Sequence, residues 1–98
     1  MDNAFTDLQR DIDGRAWVHL RPVDAGWEGG TRMWLDEAYT HLMVFTGDTL
    51  SEPARRRHGL AVEPMTCAPD ALRSGDGRRV LEPGETITAA WGVEPGRQ

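Results

Sequence analysis

The sequence contains no lysine, a single cysteine and no long apolar run, and each absence excludes a class of protein. Eleven arginines against sixteen acidic residues give the 98-residue chain a formal charge of −5, which argues against a nucleic-acid binder because such proteins neutralise phosphates. The lone Cys67 forbids an internal disulfide and fits a reducing compartment. No apolar run approaches the roughly 20 residues of a membrane span, and the acidic first residues lack the apolar centre of a signal peptide. We therefore expect a soluble, cytoplasmic protein without a nucleic-acid or membrane partner.

Large apolar side chains are also scarce. Leu, Ile, Val and Phe account for 18 of the 98 residues, which is under the roughly 20% at which a highly charged chain begins to resemble a disordered one. Four tryptophans and four methionines replace part of the missing apolar volume. The sequence predicts one small domain at most over residues 1–98, with a thin core.

Short apolar stretches separated by turn residues dominate the sequence, and no helical period persists. Their spacing is typical of an all-β sandwich or barrel, and we predict an all-β fold. A helical turn is expected only at 70–74, an exposed loop at 49–58 and a frayed tail at 94–98. Strands are predicted at residues 16–20, 31–35, 40–46, 59–63, 78–82 and 86–93.

Glu63 is the first residue to consider for chemistry. In a strand, Ala61 and Glu63 share one face while Leu60 and Val62 share the other. A carboxylate beside apolar neighbours at a strand end gains proton affinity and becomes a useful proton acceptor. The residues alone favour the simpler interpretation, a solvent-facing charge on an antiparallel sheet.

The other polar residues form no recognisable metal, nucleophile or phosphate-loop motif. His19, His41 and His58 lie on separate segments without metal-ligand spacing, which favours surface or sheet-edge positions. Cys67 has no neighbouring cation to stabilise a thiolate, and we expect it to be buried and structural. The basic run at 55–58 either contacts a phosphate or acidic partner or is a solvated charge run, and the second interpretation is simpler. We expect no metal and no cofactor.

Several segments, in order, resemble the C-terminal part of the aldose 1-epimerase (galactose mutarotase-like) family. Residues 2–5, DNAF, are similar to that family's Asp-[His/Asn]-x-Phe segment. Each element is short and common, but their order and spacing extend the resemblance over almost the whole chain. The other matching segments are FTGD at 45–48, GLAVEPMTC at 59–67, PD at 69–70, LEPGE at 81–85 and WGV at 91–93.

The resemblance implies both a fold and a reaction. Members of the family fold as a large β-supersandwich of roughly 300 residues. The resemblance therefore implies an antiparallel β-sandwich, with residues 1–98 as a single partial domain that forms its C-terminal third. They interconvert the α and β anomers of aldoses such as glucose and galactose without a cofactor. A glutamate removes the C1 hydroxyl proton while a histidine protonates the ring oxygen, so that the ring opens and closes again from the other side. By this resemblance Glu63 is the general base and Asp2 a sugar-binding residue.

The chain also departs from the family pattern. The family's acid histidine, second active-site histidine and substrate-binding arginine precede the matched segment, and none of the chain's three histidines matches those motifs. Pro64 and Met65 follow Glu63 where sugar-processing members often have Thr-Gln. The sequence therefore predicts an aldose 1-epimerase-like isomerase fragment that is incomplete on its own. The alternatives are a non-catalytic carbohydrate-binding or regulatory module, and a fragment completed by a second chain paired at its strand edges.

Overall fold

Antiparallel β-strands make up most of the regular structure in a computed structural model of the chain, which describes residues 1–24 and 29–96. The helical elements include a 3₁₀ turn at Pro53–Arg55 and a one-turn helix, α1, at Ala71–Ser74. The predicted all-β class is confirmed. The strands are β1 (Asp2–Phe5), β2 (Ala16–Leu20), β3 (Thr31–Leu35), β4 (His41–Phe45), β5 (Ala61–Met65) and β6 (Trp91–Pro95).

These strands form two three-stranded antiparallel sheets, the components from which a β-sandwich is built. In the first sheet β4 lies between β1 and β5, and in the second β3 lies between β2 and β6. The chain divides into two compact units, each containing one sheet and each made of two chain segments: Met1–Leu8 with Tyr39–Thr86, and Gln9–Ala38 with Ile87–Gln98. Membership of a larger supersandwich stays a prediction.

The core is small, as the composition predicts. Among the described residues the buried hydrophobic side chains number five, and Leu35 alone is fully buried. Met33 and Leu35 share one face of the central strand β3, and Ala16 lies opposite Leu35 on β2. That face of the second sheet is therefore its apolar side. The other two buried hydrophobic residues are Leu42 in β4 and Ala71 in α1.

The opposite face of the second sheet contains aromatic rings and charges. Trp17 and Trp34 are paired in register. The Arg15 guanidinium lies 4.0 Å from the ring centroid of Trp34, and that of Arg32 lies 4.6 Å from the ring centroid of Trp17. Arg32 also forms an ion pair with Glu94, its register partner on β6, at 2.5 Å. Cation–π contacts and one ion pair thus connect the three strands on this face.

Two strand predictions fail, for opposite reasons. The sequence does not predict β1, because residues such as Asp2 and Asn3 are unfavourable in strands, yet its backbone pairs with β4 over all four residues. Residues 78–82 contain Val80 and Leu81 and are predicted to be a strand, but they have no regular structure. Residues 72–88 are all exposed, so no apolar face holds this segment against a sheet.

The last two strands begin and end later than predicted, and residues 59–60 and 86–90 are not part of them. β5 continues past Pro64, and β6 includes Glu94 and Pro95, so the expectation of a frayed tail at 94–98 is wrong for those two residues. Both strands lie at sheet edges, where a proline N–H is not needed for the ladder, and Glu94 is held by Arg32. The remainder of that predicted tail includes two final residues that lie outside the described ranges.

Two local predictions are confirmed. Helix α1 falls within the predicted 70–74, and every residue of the predicted loop at 49–58 is exposed. No helix in the described part of the chain has the length and apolar character needed to cross a membrane.

Candidate functional site

Asp2 and Glu63, the two residues selected by the family resemblance, lie on the same face of the first sheet. Asp2 is opposite Phe45 in register, and Glu63 is opposite Met43. Met43 and Phe45 are two residues apart on β4, so their side chains point to one side, and directly opposed residues of antiparallel strands share that side. We call the surface formed by Asp2, Met43, Phe45 and Glu63 the carboxylate face.

The two carboxylates stand on the outer strands of the sheet, with the central strand between them. Asp2 and Glu63 are separated by two inter-strand spacings across the sheet and by two residues along the strands. Their Cα atoms are therefore about 12 Å apart. Both side chains are exposed, while Met43 and Phe45 between them are half-buried. The face therefore has one carboxylate on each side of an apolar floor formed by Met43 and Phe45. Such a surface suits a polyol, whose hydroxyl groups donate to carboxylates and whose C–H groups contact apolar side chains.

Glu63 is a solvent-facing residue at the centre of β5, which is the position that the residues alone favoured. The alternative, a carboxylate in an apolar setting at a strand end, is wrong because the strand continues through Pro64. Within the described part of the chain, neither Glu63 nor Asp2 uses its carboxylate in a hydrogen bond or ion pair. All of their acceptor positions are available to a ligand.

His41 lies on the same side of β4 as Met43, but it is 9% exposed. The expectation of a surface or sheet-edge position is wrong for this residue, because β4 is the central strand. The Nδ1 atom of His41 lies 2.8 Å from the Thr40 hydroxyl, which donates to the Thr66 carbonyl at 3.2 Å. Burial and this contact with Thr40 give His41 a structural role.

The remaining residues weighed for chemistry are not brought together. His19 and His58 are exposed, as expected, and lie in different units. Cys67 is half-buried, where full burial was expected. The described ranges contain no group of three or more His, Cys, Asp and Glu side chains arranged to hold a metal ion.

A polar cluster that sequence reasoning missed fixes the loop after β4. The Asp48 carboxylate accepts hydrogen bonds from the N-terminal amine of Met1 at 2.9 Å and from the Thr46 hydroxyl at 2.8 Å. The Arg57 guanidinium contacts both of its oxygens, at 2.6 Å and 3.0 Å. These contacts, the amine first, lower the pKa of Asp48. The only sequence signal is the Thr-Gly-Asp turn itself, in which Gly47 has the positive φ of 81° that favours glycine.

The candidate site thus consists of two unpartnered carboxylates, an apolar floor and a neighbouring loop fixed by Asp48. It contains neither the clustered ligands of a metal centre nor a nucleophile paired with a base, in so far as the chain is described. The chain matches no family model, no curated protein and no solved structure with which it was compared.

Proposed function

We propose that the chain is the C-terminal part of an aldose 1-epimerase-like isomerase, and that the carboxylate face is its share of the sugar site. The observation that supports this most is that Asp2 and Glu63 share one exposed face of one sheet. The two residues come from motifs far apart in the sequence, and a one-residue change of register would put one of them on the opposite side. A single sugar ring contacts both only when they share a face.

Each residue has a defined task in the proposed reaction. Glu63 takes the proton from the C1 hydroxyl of a hexose such as glucose or galactose, while the bond between C1 and the ring oxygen breaks and an acid protonates that oxygen. Rotation about the C1–C2 bond and closure in reverse give the other anomer. Asp2 accepts hydrogen bonds from the remaining hydroxyl groups, and Phe45 contacts the C–H groups of the ring. The proposed setting is the cytoplasm, which suits the unpaired thiol of Cys67.

The acid is the part of this mechanism that the described residues do not supply. His41 is buried and hydrogen-bonded to Thr40, and His19 and His58 belong to none of the three strands of the carboxylate face. General acids and bases typically each contribute roughly 10²–10⁴-fold to the rate. We therefore propose that the acid comes from residues outside this segment, on the same or a second chain, and that the segment alone accelerates mutarotation weakly.

Polarimetry of freshly dissolved α-D-glucose and α-D-galactose tests this function. The wild-type chain is expected to accelerate mutarotation above the buffer rate, and Glu63→Gln to remove the acceleration. Glu52→Gln is the matched control, since it makes the same charge change in the exposed loop and should leave the rate unchanged. Acceleration that persists in Glu63→Gln excludes Glu63 as the base.

A non-catalytic carbohydrate-binding module is the second candidate, and the exposure of Glu63 supports it. A base that works at neutral pH gains proton affinity from burial, whereas Glu63 is exposed. NMR titration with the same sugars separates the two functions. Binding that is weakened by Asp2→Asn but not by Asp24→Asn, without any acceleration of mutarotation, supports the module. The absence of both binding and acceleration contradicts both functions.

A further inference from the structure

A cavity of about 330 Å³ opens at the end of the β4–β5 pair. Residues 45–47 and 59–61 form two of its walls, and Leu50 and Arg55 of the intervening loop complete it. Phe45 belongs to the carboxylate face and is opposite Asp2, so the cavity and the proposed sugar site share a wall. Its volume is near the lower end of the roughly 300–1,000 Å³ typical of small-molecule pockets.

The three consecutive arginines of this loop have different partners. Arg56 donates through Nε to the Leu50 carbonyl at 2.8 Å, and Arg57 holds both oxygens of Asp48. The Arg55 side chain has no hydrogen bond or ion pair with any described residue, and Arg55 lines the cavity. Two arginines therefore fix the loop, while the third guanidinium is available to a ligand.

The charge of Arg55 is not balanced by the cavity lining. The other lining residues are apolar side chains, glycines and Thr46, and none of them is acidic. Asp48, a nearby carboxylate, is already paired with Arg57 and the N-terminal amine. Glu52 lies in the same loop but makes no ion pair with Arg55. A guanidinium beside apolar surface binds planar or tetrahedral anions through two parallel N–H groups, which makes phosphate and carboxylate its natural ligands.

The register gives the direction in which a bound sugar would point. Phe45 and Ala61 line the cavity, whereas Glu63 and Met43 lie two residues, about 7 Å, further from it. With C1 at Glu63 and the remaining hydroxyl groups at Asp2, which is opposite the cavity residue Phe45, the ring extends toward the cavity. A negative group at that end of the sugar would face the cavity that Arg55 lines.

We propose that this cavity binds the anionic group of an acidic aldose, a hexose phosphate or hexuronate, through Arg55. The inference rests on the proposed function for the position of the sugar ring, but not for the anion site itself. An exposed ion pair contributes up to about 1 kcal/mol, so the expected preference for an acidic over a neutral hexose is about fivefold. Because the pair is exposed, the preference decreases as the salt concentration rises.

Binding measurements by NMR titration test the inference without relying on turnover. The probes are glucose 6-phosphate, glucuronate, glucose and inorganic phosphate, each at low and high salt. Arg55→Gln should reduce the affinity for glucose 6-phosphate and glucuronate to that for glucose. Arg79→Gln removes an equal charge from another exposed position and should leave all affinities unchanged. A larger loss for the phosphate than for glucuronate identifies the hexose phosphate as the preferred class, and the reverse identifies the hexuronate.

The outcomes also separate this inference from the proposed function. Equal binding of acidic and neutral hexoses, unaffected by Arg55→Gln, overturns the anion site while glucose binding that depends on Asp2 still supports the sugar site. Arg55-dependent binding of inorganic phosphate without binding of any sugar overturns the proposed function and the aldose part of this inference. Equal loss of affinity in Arg55→Gln and Arg79→Gln overturns it too, because a general charge effect then explains the data.

Discussion

Asp11, in the loop before β2, accepts three hydrogen bonds although its side chain is exposed. The Trp17 indole donates to one oxygen at 2.8 Å, and the backbone N–H groups of Asp13 and Arg15 donate to the other at 2.9 Å and 3.0 Å. The indole first, and then the Arg15 backbone, lower the pKa of Asp11. The ionised form of this one side chain therefore stabilises both the turn and the start of β2.

The lowered pKa of Asp11 predicts a loss of stability in acid. A carboxylate whose pKa is lower in the folded state stabilises the protein above its ordinary pKa of about 3.9, and this contribution is lost as the pH falls through the folded value. Urea unfolding at pH 6 and pH 2.5 should show that the wild type loses more stability than Asp11→Asn. Asp13→Asn removes a carboxylate from the same turn and should follow the wild type. Parallel losses in the wild type and Asp11→Asn contradict this account.

The residues of the candidate site are predictable from the sequence, but their arrangement is not. Motif resemblance selects Glu63 and Asp2 without reference to any structure. Their common face depends on how β1 and β5 align on β4, and such register is set by tertiary packing between distant segments. Asp2 belongs to a strand that local propensity disfavours, so no periodicity argument places it in the sheet. The sequence likewise does not distinguish Arg55 from Arg56 and Arg57. Only the structure shows that those two arginines have hydrogen-bond partners.

Within the second sheet, β6 depends on a glycine that lies beneath a tryptophan. Gly92 is opposite Trp34 in register, and a Cβ atom at position 92 would lie 2.4 Å from the indole Nε1. A shift of the ring would also move it relative to Arg15, which lies 4.0 Å from its centroid. Glycine at position 92 therefore leaves the space that Trp34 and its cation–π contact occupy.

Gly92→Ala is expected to destabilise the second unit by about 1–3 kcal/mol, the usual cost of forcing extra volume into a filled space. The midpoint of urea unfolding, followed by tryptophan fluorescence, measures the effect. Gly59→Ala is the control, since a Cβ atom there has no neighbour within 4 Å, and its effect should stay within about 0.5 kcal/mol. Equal unfolding midpoints for the two variants would show that the indole adjusts without cost.

The elements also show where sequence periodicity succeeds and fails. β2 and β3 occupy the predicted spans 16–20 and 31–35, because each alternates side chains between an apolar and an aromatic-polar face. In the segment 78–82, Val80 and Leu81 suggest a strand, yet they are 69% and 48% exposed because no neighbouring strand pairs with them. Apolar content indicates that a strand is possible, and only a pairing partner makes one.

At the scale of the whole chain, regular hydrogen bonding is concentrated in two central strands. β4 has a neighbour on both sides in the first unit, and β3 has one on both sides in the second. The outer strands use only one edge for pairing within their sheets. Since few side chains are buried in either unit, we expect protection from exchange to follow these ladders.

Amide hydrogen exchange should reproduce this distribution. Because both edges of β3 and β4 are paired, successive amides of these strands are expected to exchange slowly, whereas in β1 only alternate amides point to a partner. Exposed residues 79–81, whose backbone N–H groups donate no hydrogen bond to a described residue, serve as the internal reference for fast exchange. The measurement is hydrogen–deuterium exchange followed by NMR. Exchange in β4 as fast as in that reference segment would contradict the pairing.

The interleaving of the two units has a consequence for synthesis on the ribosome. The first sheet has all of its strands once Met65 has left the exit tunnel. Strands β2 and β3 of the second sheet are synthesised earlier than β4 and β5. The β2–β3 hairpin then waits for Trp91–Pro95, its third strand, with one edge of β3 unpaired and Met33 and Leu35 only partly covered. Unpaired strand edges and exposed apolar side chains are the features that nascent-chain chaperones bind. The time at which β6 is synthesised therefore determines how long the β2–β3 hairpin remains vulnerable to aggregation.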